Sequence, residues 1–222
     1  MTDYSTTRAR VEHYFDRSAT KVWERLTSDA PVSRIRQTVR EGRDLMREIM
    51  LGQLPADLTG ARVLDAGCGT GLMTAELARR GADVLAVDIS PQLIGIAEER
   101  LDARLRPQVT FAAGDMTDEA HGRFDYVVAM DSLIYYRAED IARILDRLGS
   151  RTKGSVVFTV APRTPFLMTF FTVGKLFPRS DRSPTMIPHA FDTLAKSTGP
   201  GLARIDRVSR GFYISECLEY RP

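Results

Sequence analysis

Asp65 stands two residues ahead of Gly67, and Gly69 and Gly71 follow at alternate positions in Val63-Leu64-Asp65-Ala66-Gly67-Cys68-Gly69-Thr70-Gly71. Glycine lacks a Cβ and tolerates positive φ, so a ligand can lie directly against the main chain of such a turn. The apolar residues before Asp65 read as a strand and Leu72–Arg80 as a helix, which places the ligand beyond the strand's carboxyl end. A dinucleotide fingerprint requires G-x-G-x-x-G, and Leu72 occupies the place of its third glycine. Asp65 can hold the turn by accepting backbone N–H bonds. Cys68 reads as small filler, because no His or basic neighbour stands beside it to activate a thiol.

Two further acids end strand-like runs. Asp88 closes Val84-Leu85-Ala86-Val87-Asp88, near the distance of about 20 residues at which an acid meets ribose hydroxyls. A carboxylate there accepts from both ribose oxygens through charge-assisted bonds; capping the helix that opens at Ser90-Pro91 is the alternative. Asp115 follows Ala112-Ala113-Gly114, either as a ligand acceptor or as an exposed turn aspartate. Asp131, after Met130, reads equally as a ligand contact or as a cap for its loop.

These residues need a scaffold. From residue 61 apolar strands alternate with helical periods, the pattern of a parallel sheet with crossover helices. Strands are expected at 61–66, 83–88, 108–113, 124–130 and 154–160, with helices at 71–80 and 138–148. A helix from Ser90-Pro91 carries Ile94, Ala97, Leu101 and Leu105 at helical spacing. The tail reads as two strands, Leu202–Val208 and Gly211–Glu219. Residues 1–58 are helical in pattern, with Val11, Phe15, Val22 and Leu26 at near-helical intervals and a break at Thr27–Pro31. An amphipathic run follows whose apolar face is Ile35, Val39, Met46 and Met50. Arg36, Arg40, Arg43 and Arg47 form a basic stripe on that run. Asp44 and Glu48 lie within i+4 of several of them, which favours a salt-bridged solvent face over a grip on a carboxylate or on anionic lipid.

The 222 residues suit one α/β domain with additions, and 31 basic against 29 acidic residues leave a formal charge of +2. Such balance argues against a nucleic-acid binder. Two cysteines suit a reducing cytoplasm and exclude a disulfide framework or a cysteine-rich zinc site. His121 and His189 lack ligand spacing, so no protein-bound metal is expected. The N-terminus carries no apolar signal core, and the apolar stretch Phe166–Phe177 is too short to span a bilayer, though peripheral membrane contact stays open.

The glycine turn with its preceding acid resembles motif I of the class I S-adenosylmethionine-dependent methyltransferases. Beyond it, His13-Tyr14-Phe15-Asp16, the stretch Thr27–Arg36, and Gly174-Lys175-Leu176-Phe177-Pro178-Arg179-Ser180-Asp181-Arg182 resemble the magnesium-protoporphyrin IX O-methyltransferase family of (bacterio)chlorophyll biosynthesis, in its purple-bacterial form. That resemblance implies a Rossmann-like sheet, mostly parallel with a closing antiparallel strand. It also implies an N-terminal helical cap over residues 1–58 and a core over 59–222 with a substrate lid at 162–190. The implied reaction moves the methyl group of S-adenosylmethionine onto a porphyrin propionate.

On this resemblance Asp65, Gly67, Cys68, Gly69, Gly71, Asp88, Ile89, Asp115, Met116 and Met130 would surround the methyl donor. Asp65 would approach its amino group, and Asp115 would accept from the adenine amino group with Met116 beside the purine. Phe170, Phe171, Lys175 and Arg179 would cover the porphyrin. Tyr14 matches a tyrosine to which the family assigns a catalytic role. Tyr135 falls where plant and cyanobacterial relatives carry a catalytic histidine, a departure that speaks against an obligatory imidazole base. The large porphyrin-carrying subunit of magnesium chelatase is the implied protein partner.

Overall fold

The computed structural model describes residues 4–14, 27, 34–169 and 185–222. Among these, strands β1 (Arg62–Ala66), β2 (Asp83–Asp88), β3 (Val109–Ala113), β4 (Tyr126–Ala129), β5 (Val156–Val160), β6 (Leu202–Arg210) and β7 (Tyr213–Tyr220) form one sheet in the order β3-β2-β1-β4-β5-β7-β6. The first five strands run parallel, and β7 pairs antiparallel with both β5 and β6. The chain steps outward from β1 to β3, then returns to the other side of β1 with β4. At that reversal the loops after β1 and β4 diverge and leave a crevice at the strands' carboxyl ends.

Among the described residues the α-helices are α1 (Tyr4–Tyr14), α2 (Arg34–Leu51), α3 (Leu72–Arg79), α4 (Pro91–Arg100), α5 (Ala138–Gly149) and α6 (Phe191–Thr198). Side-chain alternation splits β1 between two cores. Val63 packs with Met46, Met50, Leu54, Leu58, Leu77 and Val157, while Leu64 packs with Val127, Ile141, Ile144, Leu145 and Phe158. Truncating a fully buried side chain such as Leu145 to Ala costs about 2–5 kcal/mol in sites of this kind. Met46 and Met50 bring α2 onto β6 and β7, so the second N-terminal helix is packed into the sheet itself.

Several boundaries differ from expectation. α4 ends at Arg100, and Leu101 takes an extended conformation (φ −68°, ψ 127°). Asp102 accepts from the Arg104 N–H (2.9 Å) and turns the chain, so Leu105 lies past the helix rather than on its face. Ile35 is 56% exposed and does not share the buried face of α2. The β6–β7 turn meets α2 at Thr38, 2.3 Å from where a Cβ of Gly211 would fall, and Ile35 stands about one turn beyond that contact. Phe15, Val22, Leu26 and residues 170–184 lie outside the described residues. Among the described residues no helix is long and apolar enough to cross a membrane.

Candidate functional site

One cleft at the carboxyl ends of β1, β2, β3 and β4 encloses about 1030 Å³, part of it open to solvent. Its floor is the turn after β1. Gly67 takes φ 82°, and a Cβ there would fall 2.4 Å from the Ser132 Cβ, so only glycine lets the turn approach the β4 loop. The Gly67 and Cys68 N–H groups both donate to the Val87 carbonyl (2.7 and 3.0 Å), which pins the turn to β2. Gly69 donates its N–H to Asp88 Oδ2 (2.8 Å) and presents a bare Cα side with no atom within 4 Å of an ideal Cβ. Beneath the turn Asp65 is 1% exposed and accepts from the Thr74 hydroxyl (2.5 Å). Burial pushes its carboxyl up to about 7, against the Thr74 hydrogen bond and with the charge of Asp88 adding to the rise.

Asp88 and Asp115 frame the outer end. Asp88 accepts from Ser90 N–H through Oδ1 (2.9 Å) while Oδ2 holds Gly69, and Ser90 in turn caps α4. Asp115 accepts from the Thr117 N–H and hydroxyl (both 2.8 Å), the Tyr4 hydroxyl (2.7 Å) and Arg8 Nη1 (2.8 Å). Burial raises its carboxyl, but these donors outweigh burial and hold it below the ordinary range. The first helix is thereby tied across the cleft, with Tyr4 stacked on Tyr136 at 5.3 Å. Arg8 Nε is buried and has no hydrogen-bond partner among the described residues. Val87, Ile89, Leu93 and Met116 supply apolar wall here.

The inner end is polar. Asp131, after β4, is non-glycine at φ 55°. Its N–H donates to the Thr159 hydroxyl (2.7 Å), which donates to Oδ1 (3.2 Å), and the Tyr213 hydroxyl donates to the same oxygen (3.1 Å). Arg43 Nη1 pairs with Asp131 Oδ2 at 2.9 Å, with side chains only 17% and 8% exposed. Tyr135 adjoins this group. Burial pushes its phenol up, the charges of Asp131 and Tyr14 adding to the rise and Arg43 opposing it. The loop bearing Tyr135 and Tyr136 is held by Ser132 Oγ donating to the Ala66 carbonyl (2.8 Å), by Ile187 N–H donating to the Ile134 carbonyl (2.8 Å), and by His189 Nε2 at 2.9 Å from the Tyr136 carbonyl.

Known proteins resemble this chain in sequence and fold. The chain is 69% identical over 221 residues to the magnesium-protoporphyrin O-methyltransferase of Rhodobacter capsulatus, covering 99% of both chains. The chain belongs to the magnesium-protoporphyrin O-methyltransferase family. Residues 129–222 match the family described as magnesium-protoporphyrin IX methyltransferase C-terminus, and residues 63–154 match a general methyltransferase domain. A family member from Synechocystis sp. PCC 6803 is 30% identical over 94% of each chain. The crystal structure of magnesium protoporphyrin IX methyltransferase from Synechocystis PCC 6803 with bound SAH superposes with a TM-score of 0.80 at 28% identity, over 97% of this chain and all of that one.

Within this family member, Asp65, Gly67, Cys68, Gly69, Asp88, Ile89, Asp115, Met116, Met130 and Tyr135 all line the one cleft. Gly71 does not line it. It caps the N-terminus of α3 at φ 81°, where a Cβ would press on Ala97 of α4 at 3.1 Å. Tyr14 ends α1 outside the cleft lining, linked to Tyr135 through charge. The Cys68 thiol is pushed well above its usual range, by burial first and then by Asp88 and Asp65, unlike an activated nucleophile. Phe170, Phe171, Lys175 and Arg179 lie outside the described residues.

The solvent-face reading of the basic stripe is corrected in part. Arg36 is exposed, but Arg43 and Arg47 turn into the cleft, Arg43 on Asp131 and Arg47 on Asp44. Sequence reasoning also missed Tyr4 and Arg8. The step of four between Arg43 and Arg47 was a usable signal for one shared face; nothing local marks Tyr4 or Arg8, which reach Asp115 across more than a hundred residues.

Proposed function

We propose that this chain transfers the methyl group of S-adenosylmethionine to a propionate carboxylate of magnesium-protoporphyrin IX, giving the monomethyl ester and S-adenosylhomocysteine. The identity of 69% over 99% of both chains carries this reading, because it runs through the terminal additions as well as the shared sheet.

The cleft residues fit such a donor. Gly69 leaves room for a ligand against main chain, the short carboxylates suit hydroxyl and ammonium groups, and the unpartnered Arg8 Nε–H suits a purine acceptor nitrogen. S-adenosylmethionine, when bound, supplies a methyl carbon made electrophilic by a positively charged sulfur. Asp88 would take the ribose hydroxyls. Asp65 would take the amino group. Asp115, shared with Tyr4 and Arg8, would face the adenine.

A propionic acid titrates near Glu, at about 4.3, so the acceptor is already an anion at neutral pH and needs no general base. Its oxygen attacks the methyl carbon in line with the carbon–sulfur bond. The new C–O bond forms as C–S breaks, and the bonding pair returns to sulfur. The chain's contribution is to orient the carboxylate, with Tyr135 and Tyr14 as phenol donors, and to exclude water while opposite charges neutralise each other. Residues 1–58 would serve as the cap and 162–190 as cover for the macrocycle. The two buried free cysteines are consistent with a reducing cytoplasm.

The decisive experiment incubates the protein with S-adenosylmethionine and magnesium-protoporphyrin IX and weighs the porphyrin by mass spectrometry. Gain of one methyl ester, lost in Asp88→Ala, is expected; an unchanged porphyrin mass with the unsubstituted protein overturns the reading. Because the macrocycle is apolar, hand-over from the large porphyrin-carrying subunit of magnesium chelatase, or contact with a membrane surface, would speed turnover. Unchanged turnover on adding that subunit or anionic vesicles removes those two partners.

A further inference from the structure

Among the described residues three arginines line the cleft and each meets a carboxylate, but they are held very differently. Arg47 pairs with Asp44 one helical turn away at 2.7 Å, and Asp44 is 47% exposed, an arrangement of small energetic worth. Arg8 is tied to Asp115 at the opposite end. Arg43 meets a carboxylate that is itself fixed by two further strands. Asp131 grips it from the β4 loop, Thr159 of β5 and Tyr213 of β7 grip Asp131, and α2 brings Arg43 there by lying close on Tyr213. A Cβ at Gly42 would fall 2.7 Å from Tyr213 Cδ1, so the helix accepts a glycine, at roughly 1 kcal/mol against alanine, to make that approach.

A buried ion pair gives little net stability over apolar side chains of the same size, and a non-glycine residue at positive φ costs more still. Both stand in the wall of the cleft beside Tyr135. We infer that Arg43 is the side chain that receives the acceptor's carboxylate, with Asp131, Tyr213 and Gly42 as positioning residues that set the plane of its guanidinium. The inference rests on the methyl-transfer reading and names how that site recognises an acid. A planar guanidinium fork matches a carboxylate in two parallel hydrogen bonds, which fixes the direction of the attacking oxygen. The Asp131 charge tempers the cation, so the acceptor is held without its nucleophilicity being fully quenched.

The test uses full-length Arg43→Gln and Arg43→Lys. Ester formation on magnesium-protoporphyrin IX gives KM and kcat, and titration with S-adenosylhomocysteine gives donor affinity. Charge-assisted hydrogen bonds of this kind set the expected rise in acceptor KM at about 10–100-fold for Arg43→Gln, with partial recovery in Arg43→Lys and donor affinity within about threefold. Asp131→Asn raises the same KM by a smaller factor and lowers kcat, because the untempered cation quenches the attacking oxygen. Should Arg43→Gln unfold because Asp131 is left buried and unpaired, the double variant Arg43→Gln/Asp131→Asn removes both charges and must show the same KM rise. An unmoved acceptor KM overturns the inference. So does lost S-adenosylhomocysteine binding in place of lost acceptor binding, which would assign Arg43 to the donor's own carboxylate. If the unsubstituted protein makes no ester, the methyl-transfer reading fails on its own. Fluorescence binding of magnesium-protoporphyrin IX against a magnesium porphyrin with ethyl groups in place of propionates then still decides the role of Arg43, which must favour the acid.

Discussion

At the outer end of the cleft main chain and short acids sit on the ends of β1, β2 and β3, with Tyr4 and Arg8 of α1 laid across Asp115; at the inner end the wall itself is long side chains gathered from distant elements. Gly67, Gly69, Asp65 and Asp88 lie within one β-α-β unit and are fixed by bonds to neighbouring strands. Arg43, Asp131, Tyr135 and Tyr213 come from α2, the β4 loop and β7, and meet only when the whole sheet has assembled. The contrast separates two kinds of recognition. On the proposed reading, a donor common to many enzymes would be held mainly by rigid, local geometry, whereas the acceptor would be read by side chains whose placement depends on tertiary packing. Substitutions at the two ends should therefore fail in different ways.

The largest effect is expected from Gly67→Ala. The new Cβ must move Ser132 and adopt φ 82°, so the turn shifts as a unit. Overpacking and left-handed strain together are worth a few kcal/mol, which predicts a loss of S-adenosylhomocysteine affinity of about 100-fold by calorimetry. Retained affinity would show that the turn yields, and would erase the distinction between a rigid and an assembled end. Gly71→Ala should instead lower the melting temperature by a few degrees, because its clash is with Ala97 of α4 rather than with the ligand space.

That difference between two glycines of one motif shows where sequence reading stops. Strand alternation and the acid-glycine spacing put the turn, Asp88 and Asp115 at the carboxyl ends of β1, β2 and β3, where the structure has them, since those features are local. Gly71 looks equivalent to Gly67 and Gly69 in sequence, and only the packing of α4 on α3 separates them. The arginine stripe was legible as a periodic face, yet Asp44 and Glu48 made solvent the simpler environment; the partner that turns Arg43 inward, Asp131, lies 88 residues later. Tyr4 and Arg8 carried no local signal at all. Periodicity says which residues share a face but not what that face meets.

A smaller effect is expected from the phenols. Tyr135→Phe removes one hydroxyl at the inner end and should lower kcat by about tenfold, the weight of one hydrogen bond to a charged acceptor, with donor affinity unchanged. Tyr14→Phe should act in the same direction and more weakly, since Tyr14 is coupled to Tyr135 but stands outside the cleft lining. Equal loss of donor affinity in either variant would mean that the two ends are not separable.

The smallest effect belongs to Asp65 and concerns pH. Burial pushes its carboxyl up to about 7, so in the free protein it gains its negative charge only as pH rises through neutrality. The folded state thus favours the protonated acid. This contribution to stability is complete below the ordinary carboxylate range and declines as pH climbs toward 7. A bound ammonium reverses the preference and draws the carboxyl back down. Donor affinity should accordingly increase between pH 6 and pH 8, by at most about tenfold for one group titrating near 7, with protons released on binding. Calorimetry in buffers of different ionisation enthalpy reads that release directly. Asp65→Asn keeps an oxygen for the Thr74 hydroxyl and should flatten the profile at lower affinity. A profile that is already flat in the unsubstituted protein would mean that main chain alone holds this end, which would sharpen the contrast with the charged acceptor side rather than blur it.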